Sequence, residues 1–262
     1  MSNPVKSPIG LSTVLIPTSD FERTLAFFQR TLGFTIGNQG MARPDTPFKR
    51  YAVCPTPNGV VLELVEPAPG FAAVYTHPVI SFSVDDVAAA QERIAAAGLE
   101  ILIPMTPTLQ MYFRGPGGTP YRLTARDQAG PPIVPHAEGV EWILAPATQF
   151  EDVDAFIETT LGLTVQARGM AVSDPHFLRY AQCTTANGLT VEVVEPKAAH
   201  VDAFSGPVVS ITVTDVAAAL VRLNTHGADI HSDIINNGDG TGWFYFGVPG
   251  STTFQISGPL TS

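Results

Sequence analysis

At 262 residues the chain is long enough for one or two domains with a sizeable buried core. Hydrophobic residues make up 45% and charged residues 15%, which excludes an intrinsically disordered chain. The formal charge is −10 and no basic stripe is present, which excludes a nucleic-acid binder; no apolar run nears the roughly 18 residues of a membrane span. The opening MSNPVKSPIG lacks the apolar core of a signal peptide, so a cytoplasmic protein is expected.

The first predicted element is LSTVLIP (11–17), apolar and β-branched, a strand. Ser19 or Asp20 can cap the helix that follows, in which Phe21, Leu25, Phe28 and Leu32 share one face and Gly33 provides the stop. FKRYAVC and VVLELVE then form a hairpin around PTPNG. PVISFSV is a strand, Asp85 or Asp86 caps the helix VAAAQERIAAAG, and ILIPMT, QMYFRG and TPYRLTA close the unit. QAGPPIVPHAEG (128–139) is rich in Pro and Gly and reads as a linker. The same order then returns: GVEWILAP, a helix near 151–161, FLRYAQC, LTVEVVE, PVVSITV, a helix near 215–226, DIHSDII, GWFYFG and STTFQIS.

That return is an internal repeat. Residues 40–67 lie over residues 169–196 without gaps, and sixteen of these 28 positions are identical. The offset of 129 also matches Pro17 to Pro146, Gly33 to Gly162, Asp86 to Asp215 and Gly98 to Gly227. It becomes 133 where Pro116 meets Pro249, which places about four extra residues of the second copy near NNGDG (236–240). The expected organisation is a first module at 1–127, the linker, and a second module at 140–262. Cys54 and Cys183 occupy equivalent positions, one per copy, and read as small apolar strand residues rather than a disulfide.

With strand, helix and a run of strands repeated four times, the chain resembles the vicinal oxygen chelate superfamily of glyoxalases, extradiol dioxygenases and bleomycin-resistance proteins. The resemblance is carried by DFERTLAFFQRTLGF, by LELVEP, by FSVDDVAAAQERIAAAGLE and by the closing MYFRGPGGTPYRL, and it extends over both copies. It implies an α+β fold in which four βαβββ units form two tandem modules, with half-barrel sheets around ligand cavities. It also implies a divalent metal held by residues on four strands of each barrel. Carried over position by position, those residues are Thr13, Glu63, Val79 and Arg122 in the first copy and Trp142, Glu192, Val208 and Gln255 in the second. Pairing within modules and pairing swapped between them both leave one carboxylate per pocket, too few for such a site. No metal and no cofactor are therefore expected.

Strand alternation instead predicts two small-molecule cavities. The first is expected to be lined by Thr13, Arg50, Glu63, Ser81 and Arg122, with Leu11, Val61 and Val79. The second is expected to be lined by Trp142, Arg179, Glu192, Ser210, Thr212, Thr253 and Gln255. Tyr112, Trp243 and Tyr245 offer flat stacking surfaces. Arg50 is expected opposite Glu63, and Arg179 opposite Glu192, as ion pairs or as partners of a general base. Trp142 reads as a packing residue filling the second pocket. The repeated Asp45, Phe48, Arg50 and Tyr51 read as fold maintenance, and His176 beside Asp174 is the one potential catalytic pair in a loop. GPGGTP and GDGTG read as turns.

Two functions follow. One is a metal-independent binding protein for a small organic drug or metabolite. The other is a metal-independent isomerase, lyase or cyclase for a carbonyl metabolite, with Glu63 or Glu192 as base and Arg122 as clamp. A metal-dependent glyoxalase or dioxygenase ranks below both. No nucleic-acid or membrane partner is expected, and the chain is either a monomer of paired modules or a homodimer.

Overall fold

The computed structural model describes residues 10–42, 44, 46–84, 86–105, 110–115, 120–125, 139–160, 162–172, 174–185, 188–202, 204–248 and 252–260. The first module contributes eight strands and two helices in chain order. These are β1 (Gly10–Pro17), α1 (Phe21–Arg30), β2 (Asn38–Met41), β3 (Phe48–Pro55), β4 (Val61–Pro67), β5 (Val79–Val84), α2 (Val87–Ala96), β6 (Ile101–Ile103), β7 (Gln110–Arg114) and β8 (Pro120–Ala125). The second contributes β9 (Gly139–Pro146), α3 (Phe150–Ala155), β10 (Thr164–Met170), β11 (Phe177–Thr184), β12 (Thr190–Pro196), β13 (Val208–Thr212), α4 (Val216–Thr225), β14 (Asp229–Ile230), β15 (Ile235–Asn236), β16 (Thr241–Gly247) and β17 (Thr253–Pro259).

Each module builds one mixed sheet. The orders are β2-β3-β4-β1-β5-β8-β7-β6 and β10-β11-β12-β9-β13-β17-β16-β14, with β15 added against β16. The pairs β1/β4, β5/β8, β9/β12 and β13/β17 are parallel, and β1/β5 and β9/β13 are antiparallel seams. The two βαβββ units of one module thus join edge to edge, so each concave face is assembled within a module. This decides between the two arrangements that the sequence leaves open.

The helices form where expected because short acidic side chains satisfy their free N–H groups. Asp20, Asp86 and Asp215 accept from the backbone of Arg23, Ala89 and Ala218 at 3.3, 2.9 and 3.0 Å. Gly33 and Gly98 follow α1 and α2 at φ +80° and +71°, the left-handed turn that ends a helix. Three details depart from expectation. β2 and β10 are strands that the sequence does not announce, since NQGM is exposed along its length and has no apolar alternation. The helix of the second module passes from α3 into a π-helical turn, Phe156–Thr160. DIHSDII is not one strand but two fragments, because the Ser232 hydroxyl takes the backbone N–H of Tyr245 in place of a ladder partner. Residues 128–138 of the expected linker lie outside the described residues, and Gly139 already opens β9. A Cβ at Gly139, at φ +141°, would lie 2.1 Å from Asn58 Oδ1, so only glycine fits there.

The helix-covered faces of both sheets share one continuous core. Its members include Phe28 of α1, Ile94 of α2, Val153 of α3 and Leu223 of α4, together with Leu62, Phe82, Val191 and Phe254 of the sheets. Aromatic pairs tie the modules together across it. Phe28 meets Phe254, Phe27 meets Phe246, and Phe156 meets Phe113 and Tyr121. Asn58 adds two buried hydrogen bonds to the backbone of Val140. The opposite, concave faces carry smaller clusters around Phe48, Tyr75 and Tyr112 in the first module and Phe177, Phe204 and Tyr245 in the second.

Candidate functional site

The concave face of the first sheet carries Thr13, Ser81, Arg122 and Tyr112 in adjoining register, as alternation predicts. Arg122 is buried. Its Nε donates to Ser81 Oγ at 2.8 Å and its Nη1 to Glu63 Oε2 at 3.4 Å. Glu63 stands opposite Val53, and Arg50 opposite Glu66. The expectation that Arg50 faces Glu63 is therefore corrected by three positions. The turn sets Pro55 opposite Val61, and the register runs unbroken from there to Arg50, which shares the helix side of the sheet with Ala52 and Cys54; the bulge between Phe48 and Arg50 turns Phe48 to the concave face. Arg50 sits 4.3 Å from the ring of Phe21 and pairs with Glu66 and Glu22. Arg179 repeats this arrangement over Phe150, with Glu195 and Glu151. Both arginines clamp a helix N-terminus to a hairpin and line neither concave face.

In the second module the concave face opens into a cavity of about 1090 Å³. Trp142, Ser210, Gln255 and Tyr245 form one row across β9, β13, β17 and β16. All four line the cavity, with Glu192, Thr212 and Trp243. Trp142 is half-buried in that wall, so it borders the space instead of filling it. Thr253 is not among the lining residues and lies 3.3 Å from the His231 ring. The lining also includes Asp174, Tyr180, Gln182, Asn237, Asp239 and Ser257, which the sequence did not point to as cavity residues. Gln182 was within reach of sequence reasoning. A turn centred on Thr185–Leu189 puts it opposite Glu192, the pair the structure contains. Asn237 and Asp239 belong to the extra residues of the second copy. They form part of the cavity rim, and Asn237 accepts from Trp243 Nε1 at 3.1 Å.

The electrostatics of this cavity centre on Glu192. Its Oε1 accepts from Gln182 Nε2 at 3.1 Å, and no arginine or lysine pairs with it among the described residues. Burial pushes the carboxyl up to about 7; the Gln182 bond pulls the other way and Asp174 adds to the rise. Burial also raises the Tyr245 hydroxyl well above its ordinary value, so that it stays a hydrogen-bond donor. Asp174 and His176 do not form a catalytic pair. Asp174 Oδ1 accepts from the backbone of His176 and Phe177 at 2.7 and 3.1 Å, while His176 Nδ1 is 3.8 Å from it. The His176 ring packs among His200, Phe204, Trp243 and Tyr245, and burial lowers its pKa.

The donor set does not suit a divalent metal on either face. The pairing of β5 with β8 sets Ser81 beside Arg122 and that of β13 with β17 sets Ser210 beside Gln255, so the strand residues near Glu63 and Glu192 are Ser or Val, Thr or Trp, and Arg or Gln. Among the described residues no three of His, Cys, Asp and Glu converge. Of the Gly-rich segments, 116–119 lie outside the described residues, and 238–240 form a turn with Gly238 and Gly240 at positive φ. Among the described residues no helix is long and apolar enough to cross a membrane.

Comparison with known proteins agrees with this fold. Residues 10–130 match the family model of the Glyoxalase/Bleomycin resistance protein/Dioxygenase superfamily. The fold is similar to a triple mutant of 4-hydroxymandelate synthase from Streptomyces coelicolor, at a TM-score of 0.68 and 16% identity, covering 98% of this chain and 94% of that one. It is similar to the Mn(II)-bound glyoxalase from Novosphingobium aromaticivorans, at 0.66 and 16%, covering 97% and 84%. It is also similar to the 2,3-dioxygenase LapB from Pseudomonas sp., at 0.62 and 13%, covering 98% and 94%. No curated protein matches the sequence.

Proposed function

We propose, from the match of residues 10–130 to the Glyoxalase/Bleomycin resistance protein/Dioxygenase superfamily model and their repetition in the second module, that the chain binds a small organic molecule, without a metal, in the cavity of its second module. The observation that carries this reading is the cavity itself. It is roomy enough for a drug-sized molecule, it is walled by aromatic and polar side chains, and its carboxylates, Asp174, Glu192 and Asp239, do not converge as a metal-ligand group among the described residues. Sequestration of a drug or metabolite is the activity it supports best. The test is thermal unfolding of protein purified without chelator, first with added Mn²⁺, Zn²⁺, Fe²⁺ or Ni²⁺ and then with a library of planar organic compounds. Stabilisation by organic compounds and not by metals is expected. Near-stoichiometric metal that raises the unfolding temperature would overturn the reading.

A second reading rests on Glu192. A carboxyl whose pKa lies near 7 is matched to moving a proton at neutral pH, as a base for a proton shift beside a carbonyl. Tyr245 and Gln255 face the same space and would bear on a developing oxyanion. Arg122 and Glu63 take no part, since they lie on the other module's concave face and pair with each other. Turnover that persists in chelator and disappears in Glu192→Gln would establish this reading over simple binding.

A further inference from the structure

We infer that the ligand of the second-module cavity is an organic cation, a protonated amine or quaternary ammonium on a flat apolar body. The inference rests on the binding reading above and is carried by the internal repeat. Glu63 and Glu192 are equivalent glutamates on equivalent strands. In the first module the carboxylate is answered from within the chain, because Arg122 of β8 reaches it and is held in place by Ser81. In the second module the position of Arg122 is Gln255, beside Ser210 as Arg122 is beside Ser81. The carboxylate is present in both modules and the cation only in the first. A buried carboxylate without a cationic partner is costly unless a partner arrives, and here it adjoins an open cavity.

The rest of the lining has the same sign. It includes Asp174, Glu192 and Asp239 and no lysine, arginine or histidine. Basic groups near it lie outside the lining: the His176 ring packs behind Trp243 and Tyr245, and burial lowers its pKa, which favours its neutral form. Lys197 Nζ is spent on the Asp174 carbonyl at 2.7 Å, and Arg179 pairs on the far side of the sheet. Trp142, Tyr180, Trp243 and Tyr245 supply ring faces, which attract a cation through their quadrupoles and stack on a flat body. An anionic ligand would meet three carboxylates and no donor cation. Binding of a cation also favours ionised Glu192, whose carboxyl faces Asp174, Gln182 and Tyr245, so that affinity should rise with pH through about 7.

Both tryptophans of the chain line the cavity, so their fluorescence reads its occupancy directly. The experiment titrates full-length protein with three probes of one shape: (2-naphthylmethyl)trimethylammonium, 2-naphthylethanol and 2-naphthoate. The expected result is quenching by the ammonium probe at concentrations about tenfold or more below those needed for the alcohol, and none by the carboxylate. Gln255→Arg, which rebuilds the first module's pair, should lose ammonium binding. Because arginine at this buried position could disturb folding, the ammonium titration is also run on wild type and Glu192→Gln from pH 5.5 to 8.5. Wild-type affinity should climb with pH, and that of Glu192→Gln should stay flat. Equal binding of the alcohol and the ammonium, with no pH dependence, overturns the cation inference and leaves the cavity reading standing. No quenching by any probe overturns both.

Discussion

Phe28, in the first helix, meets Phe254, in the last strand, edge to face, with ring centroids 6.0 Å apart across 226 positions of sequence. Phe28 is fully buried, and Phe254 is too. The contact belongs to a core that takes members from all four helices and both sheets. It makes the two modules one packing unit although each has its own sheet.

Phe28→Ala should therefore destabilise the whole chain. Loss of a fully buried ring with its cavity costs about 3–5 kcal/mol. Calorimetry should show one transition, moved to lower temperature, in which both modules unfold together. Two separated transitions, with only the first module's moved, would show that the shared core does not couple them.

Glu192 sets a pH dependence of stability. Its folded pKa is raised, so its contribution is fully present below the ordinary glutamate value near 4.3 and is lost as pH rises through about 7. Above that, ionised Glu192 burdens the fold. Glu192→Gln should match wild type near pH 4 and exceed it near pH 8 by on the order of 2 kcal/mol, allowing for partial access to solvent. Denaturant midpoints at the two pH values would measure this, and a wild-type-like slope in the variant would count against it.

The Arg122–Glu63 pair predicts asymmetry between single and double replacements. Arg122 has 7% and Glu63 23% of the side chain exposed. Arg122→Leu strands a half-buried carboxylate and Glu63→Gln a buried guanidinium, while the double variant leaves neither. A double-mutant cycle should give a coupling of about 1–3 kcal/mol. Additive losses would mean that the 3.4 Å contact is energetically idle.

Cys54 and Cys183 are buried, and burial pushes both thiols up to about 12. Neither should react with a thiol reagent in the native state at pH 8, and both should react fully in denaturant. Rapid native labelling of either would contradict their place in the strands β3 and β11.

How much of this was legible in the sequence differs by feature. Period-two alternation correctly placed Thr13, Ser81, Arg122, Trp142, Ser210 and Gln255 on concave faces, because a strand's side chains obey one parity along its length. The same reasoning failed for Arg50 and Arg179. The register set by each hairpin turn puts Glu66 and Glu195, not Glu63 and Glu192, opposite the arginines, on the helix side of the sheet. Trp142 was misread as a plug because its size was legible and the curvature of the wall around it was not. Asn237 and Asp239 were seen only as an insertion, since nothing local says over which face a loop will fold.

The sequence by itself determined that this chain is one βαβββ design used four times, with its caps and its stops written at repeated positions. Those properties are local, carried by residue type and spacing. The tertiary structure alone decided that each sheet is assembled within its module, that the second concave face holds an open cavity, and that Glu63 pairs with Arg122 while Glu192 meets the neutral amide of Gln182. These depend on register, curvature and burial, which arise only when strands far apart in the chain are hydrogen-bonded side by side.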